Sequence, residues 1–348
     1  MSILAPVQVA LGSNVHVAYI HPGSHLRTLS AGGVGVHHIR TRGNHDPRLP
    51  WWLWSLMGLE RPDVVHTWLP QMDVAAGMAA LARGIPWVMA ERSCADAYIA
   101  RFKDRVIRRQ VGQWADAVAA NSQAGEEIWN ETLRRGARAH VVRNVVPLGA
   151  IANTVPTRLR DLGIEPGTPV VIFVGRLSAE KNIALLLAVA AEVCRQSNAV
   201  FLICGNGPLR RDVEETVRLS PVGQQMRVLG ERSDIWSLMK ASNAFVSTSA
   251  FEGQPNAVLE AMGCGCPLVV SDIPAHREFL GPETAAIVPL VNEEFVSAIL
   301  QTLRGTPDTL RRAEEAKRQI ERHDPASGAL AYEMIYRQAA LRHNRCVA

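Results

Sequence analysis

The chain has 348 residues, the length of about two ordinary domains, of which 47% are hydrophobic and 20% are charged. This balance excludes a disordered chain and is ordinary for a globular enzyme. The formal net charge is only +4, which does not indicate nucleic-acid binding without a basic motif. Residues 1–150 hold sixteen Lys and Arg against eleven Asp and Glu, whereas residues 151–348 hold twenty-one against twenty-two. The first half therefore carries the positive excess, as expected for a domain that handles an anionic partner or a membrane surface.

The six cysteines form no CxxC pair, and no histidine lies at metal-ligand spacing from any of them. They are Cys94, Cys194, Cys204, Cys264, Cys266 and Cys346. The start of the chain lacks the positive charge of a secretory signal, and no run reaches the ~18 apolar residues of a membrane span. The sequence therefore predicts a cytoplasmic protein, at most peripheral to a membrane, and no bound metal ion.

Short β-branched runs alternate with helical patterns along the whole chain, which is typical of parallel strands joined by helical crossovers. The predicted strands are 15–21, 34–40, 63–68, 86–91, 117–122 and 140–143 in the first half, and 170–175, 199–205, 226–230, 244–249, 267–271 and 285–289 in the second. The predicted helices are 50–59, 73–83, 98–114, 124–134, 183–196, 209–219, 235–240, 257–262 and 325–342. Residues 147–169 hold four prolines and are predicted to form the interdomain linker. Two Rossmann-like α/β domains, 1–150 and 151–325, are predicted to face each other across a cleft.

The stretch after the fourth strand of the second half carries two carboxylates that can meet one ligand. Glu252 lies on the loop at the carboxyl end of that strand, and Glu260 lies on the helix that follows. Ligands of open α/β sheets bind at this edge. The free amides near Asn256 and Ala257 suit a phosphate group. The alternative is that Glu252 caps the helix and Glu260 is a solvated surface charge.

Two cations flank the turn after the first strand of the second half. Arg176 directly follows that strand, and Lys181 precedes the next helix. A diphosphate needs such cations, and this turn can direct both side chains to one ligand. Alternatively, Lys181 is a solvated residue at a helix start.

These two segments resemble signature segments of the retaining GT-B glycosyltransferases of group 1 (family 4). Glu252 and Glu260, with seven residues between them, match the family's E-x7-E, and residues 174–182 resemble its V-G-R-L-x-x-x-K-N segment. The resemblance implies that Glu252 approaches the transferred sugar and that Glu260 holds the ribose hydroxyls. It also implies that Arg176 and Lys181 bind the donor diphosphate.

Weaker matches follow in the family's order. Gly253 belongs to the first signature, Gly205 and Gly207 resemble a G-x-G-P turn, and Leu229 begins a segment whose backbone meets the nucleobase in the family. A lone G-x-G is a weak signal, and these two glycines alternatively form a simple tight turn. Residues 326–348 resemble the helix that returns to the first domain.

In the first half, residues 62–68 resemble the family's P-D-V-V-H-x-H strand, with Trp68 in place of the second His. His66 accordingly either lines the cleft or is a buried, hydrogen-bonded structural residue. Arg92 lies where many relatives place a His near the reacting sugar.

The start of the chain departs from the family. Only fourteen residues precede the strand at 15–20, too few for the strand and crossover helix with which family members begin. The missing first strand is the central one in a doubly wound sheet, so a gap is expected beside the strand at 15–20. Residues 7–11 either fill the gap as a short strand or are a remnant of the helix.

The resemblance implies a metal-independent reaction on the front face of the sugar, with Arg176, Lys181 and a helix dipole stabilising the departing diphosphate. We expect a UDP-sugar donor, a glycan or lipid-linked acceptor, and an envelope or secreted glycan as the product. The alternative is a catalytically silent GT-B-like subunit that binds nucleotide or glycan and supports a partner transferase.

Two features indicate contact with the inner membrane face. The predicted helix 98–114 carries Arg101, Lys103, Arg105, Arg108 and Arg109, and the predicted helix 50–59 carries Trp51, Trp52 and Trp54. Basic amphipathic helices can lie on anionic lipid. The alternative, which the pattern favours, is a solvated basic face and tryptophans packed against the sheet.

Overall fold

The computed structural model describes residues 1–23, 26–41, 43, 46–92, 102–134 and 136–347. The chain divides into two compact units, the first made of Met1–Val145 with His323–Ala348 and the second of Val146–Arg322. Among the residues described, no helix is both long enough and apolar enough to cross a membrane.

The described residues alternate between strands and helices. In chain order the strands are β1 (His16–Tyr19), β2 (Gly35–His38), β3 (Val65–Thr67), β4 (Trp87–Glu91), β5 (Ala117–Ala120), β6 (Arg138–Val141), β7 (Val170–Val174), β8 (Val200–Cys204), β9 (Met226–Gly230), β10 (Ala244–Ser247), β11 (Leu268–Ser271) and β12 (Ala286–Val288). The helices are α1 (Leu4–Ala10), α2 (Leu26–Ala31), α3 (Leu49–Glu60), α4 (Pro70–Arg83), α5 (Phe102–Gly112), α6 (Gln123–Asn130), α7 (Leu148–Ala152), α8 (Ile183–Gln196), α9 (Arg210–Leu219), α10 (Ile235–Ala241), α11 (Asn256–Gly263), α12 (Pro274–Arg277), α13 (Asn292–Leu303), α14 (Pro307–Ile320) and α15 (Pro325–Val347). The predicted α/β class with parallel sheets is confirmed.

The first unit holds two separate parallel sheets within its described residues. The strands β3, β4, β5 and β6 form one sheet, whereas β1 and β2 pair only with each other. The sheet is therefore interrupted beside β1, as expected. Residues 7–11 do not form the alternative short strand, because α1 covers Leu4–Ala10. This helix buries Ala5 against Leu29 and Val34, which is the apolar core available to the two-stranded sheet.

The second unit is a six-stranded parallel sheet in the order β12-β11-β10-β7-β8-β9. β7 comes first in the chain and has β8 on one side and β10 on the other, so the sheet has a topological switch point between β7 and β10. Apolar side chains pack on both faces: Ile172 contributes to the core on one face and Phe173 to the core on the other. Burial on both faces explains why these strands read as continuous hydrophobic runs.

The predicted linker at 147–169 is wrong. α7 lies inside it, and Leu159–Leu162 form a 3-10 turn. Ile151 and Ile164 are 1% and 2% exposed in the core of the second unit. These elements are too short for a recognisable period: α7 packs against α11, and Leu159, Leu162 and Ile164 pack into the same core. Sequence periodicity also missed α13 and α14, which cover the second sheet.

Candidate active site

Two loops of the second unit meet at the carboxyl edge of its sheet because β7 and β10 are neighbours. The Nζ of Lys181, after β7, forms an ion pair with Oε1 of Glu252, after β10. The backbone joins the loops as well: the Ala250 N–H donates to the Glu180 carbonyl at 2.9 Å, and the Thr248 hydroxyl donates to the Lys181 carbonyl at 2.9 Å. Two of the predicted site residues, 71 positions apart in the chain, are thus in direct contact.

A chain of small polar groups holds Glu252 in place. The Ser249 hydroxyl donates to Glu252 Oε1 at 2.8 Å, and the Ser271 hydroxyl donates to the Ser249 carbonyl at 2.6 Å. His276 is fully buried, and its Nδ1 lies 2.7 Å from the Ser271 carbonyl. A carbonyl only accepts, so Nδ1–H is the donor. Burial lowers the pKa of His276, which keeps the ring neutral. Sequence reasoning missed these supporting roles; serines at the ends of buried strands were the available signal.

Arg176 and Lys181, the two cations of the loop after β7, differ in their surroundings. Lys181 is 17% exposed and paired, whereas Arg176 is exposed and, within the described part of the chain, forms no ion pair. Both act on Glu180: burial would raise the pKa of this carboxyl, but the Ser178 hydrogen bond and the two cations hold it below its usual range. Arg176 is therefore the cation of this loop that is available to an anionic ligand.

Glu260 lies on α11, and the indole of Trp236 on α10 is its neighbour. Burial raises the pKa of the Glu260 carboxyl. The helix begins at Asn256, and its N-cap is Pro255, whose side chain cannot accept an N–H. The Asn256 N–H donates to the Gln254 carbonyl at 3.0 Å and is therefore not the free amide that the sequence predicted, which leaves the Ala257 N–H as the first-turn amide proposed for a ligand. Glu260 makes no direct contact with Glu252 among the described contacts.

The glycines after β8 are required by close backbone approach. A Cβ on Gly205, whose φ is +142°, would lie 1.8 Å from the Gly175 carbonyl oxygen. A Cβ on Gly207 would lie 2.4 Å from the Leu177 carbonyl oxygen. The loops after β7 and β8 thus pack on each other, and Leu229 lies at the end of the next strand, β9. This packing explains both glycines, while their contact with a donor stays a prediction.

Two family models together match most of the chain. The model of "Glycosyl transferases group 1" matches residues 156–320, and that of "Glycosyltransferase Family 4" matches residues 3–149. The chain belongs to the group 1 (family 4) GT-B glycosyltransferases. The chain is 27% identical to the UDP-Gal:alpha-D-GlcNAc-diphosphoundecaprenol alpha-1,3-galactosyltransferase of Escherichia coli. The aligned region covers 72% of this chain and 68% of that enzyme.

Solved glycosyltransferases share the fold. HepE of Anabaena, in complex with UDP and glucose, has a TM-score of 0.82 at 18% identity, covering 96% of this chain and 95% of that one. The sucrose-phosphate synthase of Thermosynechococcus elongatus has a TM-score of 0.76 at 18% identity, covering 96% and 91%. The predicted GT-B fold and transferase class are confirmed.

In the first unit of this glycosyltransferase, His66 has structural partners. Its Nδ1 lies 2.8 Å from the Tyr336 hydroxyl, and its ring packs at 4.9 Å from the Trp68 ring and 5.3 Å from the Tyr332 ring. Burial and the nearby Arg92 lower the pKa of His66 to about 3, so the ring is neutral. These contacts favour the structural alternative for His66.

Arg92 is held within the same unit. Its guanidinium donates to the Asn144 side chain and lies 4.7 Å from the centre of the Trp68 ring. Burial lowers its pKa, opposed by Tyr332. Arg92 is therefore tied to Asn144, after β6, and its position near the reacting sugar stays a prediction.

The sequence pattern favours a solvated basic face for Arg108. This prediction is wrong, because Arg108 is only 4% exposed. Its Nε donates to Asp73 Oδ2 and its Nη1 to Glu91 Oε2, both at 2.6 Å. We call these three residues the Arg108 cluster. Burial, opposed mainly by Arg108, raises the pKa of Asp73 to about 6. Arg109 is exposed, and the side chains of Arg101, Lys103 and Arg105 lie outside the described residues, as do those of Cys94 and Cys346.

The tryptophans of α3 do not pack against the sheet, so that alternative is wrong. Trp51, Trp52 and Trp54 are 59%, 44% and 42% exposed. The helix turns Leu49, Leu53 and Met57 to the core instead. The guanidinium of Arg83 lies 3.8 Å from the centre of the Trp54 ring. We call the exposed surface formed by Trp51, Trp52 and Trp54 the tryptophan face.

Proposed function

We propose that this glycosyltransferase moves a sugar from a UDP-sugar to a glycan or lipid-linked acceptor, with retention of the anomeric configuration. The observation that carries the proposal is the contact between Lys181 and Glu252 at the switch point of the second sheet. The names of the relatives support it, since HepE was solved with UDP and with UDP-glucose, and the Escherichia coli enzyme uses UDP-Gal and a diphosphoundecaprenol acceptor.

In the proposed complex, the donor diphosphate binds Arg176, Lys181 and the Ala257 amide in the first turn of α11. Cations and a helix N-terminus each favour a diphosphate, and together they replace a metal ion. The Glu260 carboxylate accepts hydrogen bonds from the ribose hydroxyls, and Trp236 lies beside it. Backbone contacts to the donor come from Gly205, Gly207, Leu229, Gly253 and Ala257.

The proposed reaction needs no carboxylate nucleophile. The bond between the anomeric carbon and the donor diphosphate oxygen breaks, and a bond to the acceptor oxygen forms on the same face of the sugar. The acceptor proton passes to an oxygen of the leaving diphosphate. Glu252 orients the sugar, which is a positioning role, while Lys181 and Arg176 stabilise the charge that develops on the leaving group.

Nucleotide binding tests the donor site. We expect UDP to bind more tightly than GDP or ADP in calorimetry, and we expect Glu260→Ala to weaken UDP binding by more than about tenfold, because a hydrogen bond to a charged group contributes about 1.5–3 kcal/mol. The matched control is Glu314→Ala, an exposed glutamate of α14, which should bind UDP like the wild type.

Turnover assays on the same proteins distinguish the two functions that the sequence leaves open, a transferase and a catalytically silent subunit. Slow release of UDP from a UDP-sugar in the absence of acceptor supports a transferase, and an α-linked product from an α-linked donor supports retention. UDP binding without any turnover, even with acceptor lipids present, would instead identify a silent subunit. Equal binding by Glu260→Ala and the wild type would contradict the proposed donor site.

We also propose that the acceptor is reached at a membrane surface, which the first unit meets through the tryptophan face. Indole rings are enriched at membrane–water interfaces, where their apolar bodies and polar N–H groups suit both sides. Arg61 directly follows α3 and is exposed, and Arg83 stacks on Trp54. Positive charge therefore accompanies the aromatic rings, which suits an anionic bilayer.

Vesicle binding tests the tryptophan face. The double variant Trp51→Ala/Trp52→Ala should bind anionic phospholipid vesicles at least about tenfold more weakly than the wild type, because each large apolar side chain contributes roughly 1.5–3 kcal/mol when it is fully buried. Cosedimentation measures this binding. The control is Leu310→Ala, which removes an exposed apolar side chain of the second unit. Unchanged vesicle binding by the double variant would remove this surface from the proposal.

A further inference from the structure

Three side chains of the first unit bring metal-ligating atoms to one point. The Nδ1 of His16 lies 2.8 Å from the Nε2 of His37 and 3.4 Å from Oε2 of Glu60. The Nε2 of His37 lies 3.8 Å from Oε1 of the same carboxylate. One ligand atom from each residue can thus be chosen so that all three lie within 4.8 Å of one another.

The fold accounts for this convergence. β1 and β2 pair in parallel with Ala18 opposite His37, so His16 and His37 lie on the same face of the two-stranded sheet, two positions apart. Farther along, that face packs on α3 through Ile20 and Ile39. Glu60, the last residue of α3, therefore reaches the two imidazoles where the helix ends.

The imidazole of His16 occupies space that a side chain at position 35 would fill, and residue 35 is a glycine. Gly35 is the direct cross-strand partner of His16. A Cβ at this position would lie 2.7 Å from His16 Nδ1, the atom that faces His37 and Glu60. Any larger residue would push the ring away from the other two groups.

We propose that His16, His37 and Glu60 bind one divalent transition metal ion of the zinc class. Imidazole suits Zn²⁺, Ni²⁺ and Cu²⁺ rather than Mg²⁺ or Ca²⁺, and two histidines with one carboxylate leave a fourth coordination position open. With bonds of about 2.0–2.1 Å, tetrahedral ligand atoms lie about 3.4 Å apart. The 3.4 Å from His16 Nδ1 to Glu60 Oε2 already fits, whereas the 3.8 Å from His37 Nε2 runs to the other oxygen, Oε1.

On binding, a small turn of the Glu60 carboxylate brings one oxygen to both imidazoles, and the spacing between the two imidazoles must increase. The present 2.8 Å is a hydrogen bond in which one ring donates an N–H to the other. Metal binding requires that both nitrogens offer a lone pair, so the shared proton moves to the other nitrogen of its own ring. The rings then separate by roughly half an ångström to reach the tetrahedral spacing.

The ion adds a direct link to three elements that are otherwise joined by the pairing of β1 with β2 and by the packing of Ile20 and Ile39 on α3. A two-stranded sheet is marginally stable by itself, and β1 and β2 lack the neighbouring strands that support the other sheets in the described part of the chain. A metal held by β1, β2 and the end of α3 clamps this sheet to the helix that carries the tryptophan face. The three side chains are 32%, 26% and 24% exposed, so the ion can enter from solvent.

Metal titration tests the site in the full chain, purified without a histidine tag and treated with a chelator. We expect one Zn²⁺ per chain by calorimetry, visible d–d absorption of tetrahedral Co²⁺ on titration with cobalt, a higher Tm with Zn²⁺, and none of these effects with Mg²⁺. His37→Ala should weaken Zn²⁺ binding by more than about tenfold, because loss even of an outer-shell partner costs about 10–100-fold.

The matched control is His38→Ala. Neighbouring residues of a strand point to opposite faces, and the Nε2 of His38 lies 3.1 Å from the Ile20 carbonyl instead. This variant should keep wild-type Zn²⁺ affinity. Glu60→Gln, which keeps the shape of the side chain, should lose affinity and the Zn²⁺-dependent rise in Tm.

Absence of the Co²⁺ spectrum would overturn the site, as would equal Zn²⁺ binding by the His37→Ala, Glu60→Gln and His38→Ala variants, which would indicate scattered surface histidines. Circular dichroism of each metal-free variant shows whether it folds. None of these readouts depends on glycosyl transfer, so their result is independent of the proposed donor site.

Discussion

Lys181→Met is expected to lower the turnover of a UDP-sugar by about 10²–10³-fold, the loss that follows removal of one preorganised group that stabilises transition-state charge. The Nζ of Lys181 contacts Glu252, so the substitution removes the cation proposed for the leaving diphosphate and also leaves a carboxylate that is only 11% exposed without its partner. Release of UDP in the absence of acceptor measures the effect. UDP binding should weaken far less than turnover, because Arg176 and the first turn of α11 remain.

The control for this experiment is Lys317→Met, the same change at an exposed lysine of α14, which should keep wild-type turnover. Glu252→Gln tests the other side of the contact and should lower turnover while UDP binding persists, because Glu252 is proposed to orient the sugar. Wild-type turnover by Lys181→Met would show that the ion pair only joins two loops. A parallel loss of UDP binding and turnover would indicate a ground-state contact.

Arg108→Met should lower the free energy of unfolding of the first unit by about 3–5 kcal/mol, because it leaves buried carboxylates without their partner. Asp73 and Glu91 are 0% and 3% exposed, so water cannot replace the guanidinium. Denaturation followed by tryptophan fluorescence reports mainly on this unit, since seven of the eight tryptophans lie in it. The matched control is Arg109→Met, the next residue on the same helix, which is exposed and should change stability little.

The deficit of Arg108→Met should also grow with pH. Burial raises the pKa of Asp73 to about 6 from its usual value of 3.8, so the folded state binds the proton more tightly than the unfolded state. Its contribution to stability is present below pH 3.8 and is lost as pH rises through about 6. Without Arg108 the ionised form is still less favourable. A deficit that is the same at pH 5 and pH 8 would show that Asp73 does not titrate in this range.

Local sequence patterns were enough to predict the strands of the second unit and the charged residues near their ends. The strands of the second unit are buried on both faces, so each forms an apolar run in the sequence that ends at a polar loop. The predicted bounds of β9, 226–230, match the observed strand. Arg176, Lys181, Glu252 and Glu260 stand out because charges that follow buried strands must lie at the sheet's edge.

The tertiary structure decided which of these groups meet. Contact between Lys181 and Glu252 depends on β7 and β10 being neighbours, an order that no local pattern specifies. Likewise, the sequence places Arg108 on a basic helix, but burial requires carboxylates from two other elements, and these come from α4 and the end of β4.

The same reason explains the surfaces that sequence reasoning assigned wrongly or did not see. The exposure of the tryptophan face depends on which side of α3 packs against the core, and α3 is apolar nearly all round. His16, His37 and Glu60 have no motif spacing, so only the pairing of β1 with β2 and the packing of α3 bring them together. The sequence by itself determined the elements, the fold class and the charged ends of the strands. Neighbours across elements were decided only in the folded chain, because they depend on strand order and helix orientation.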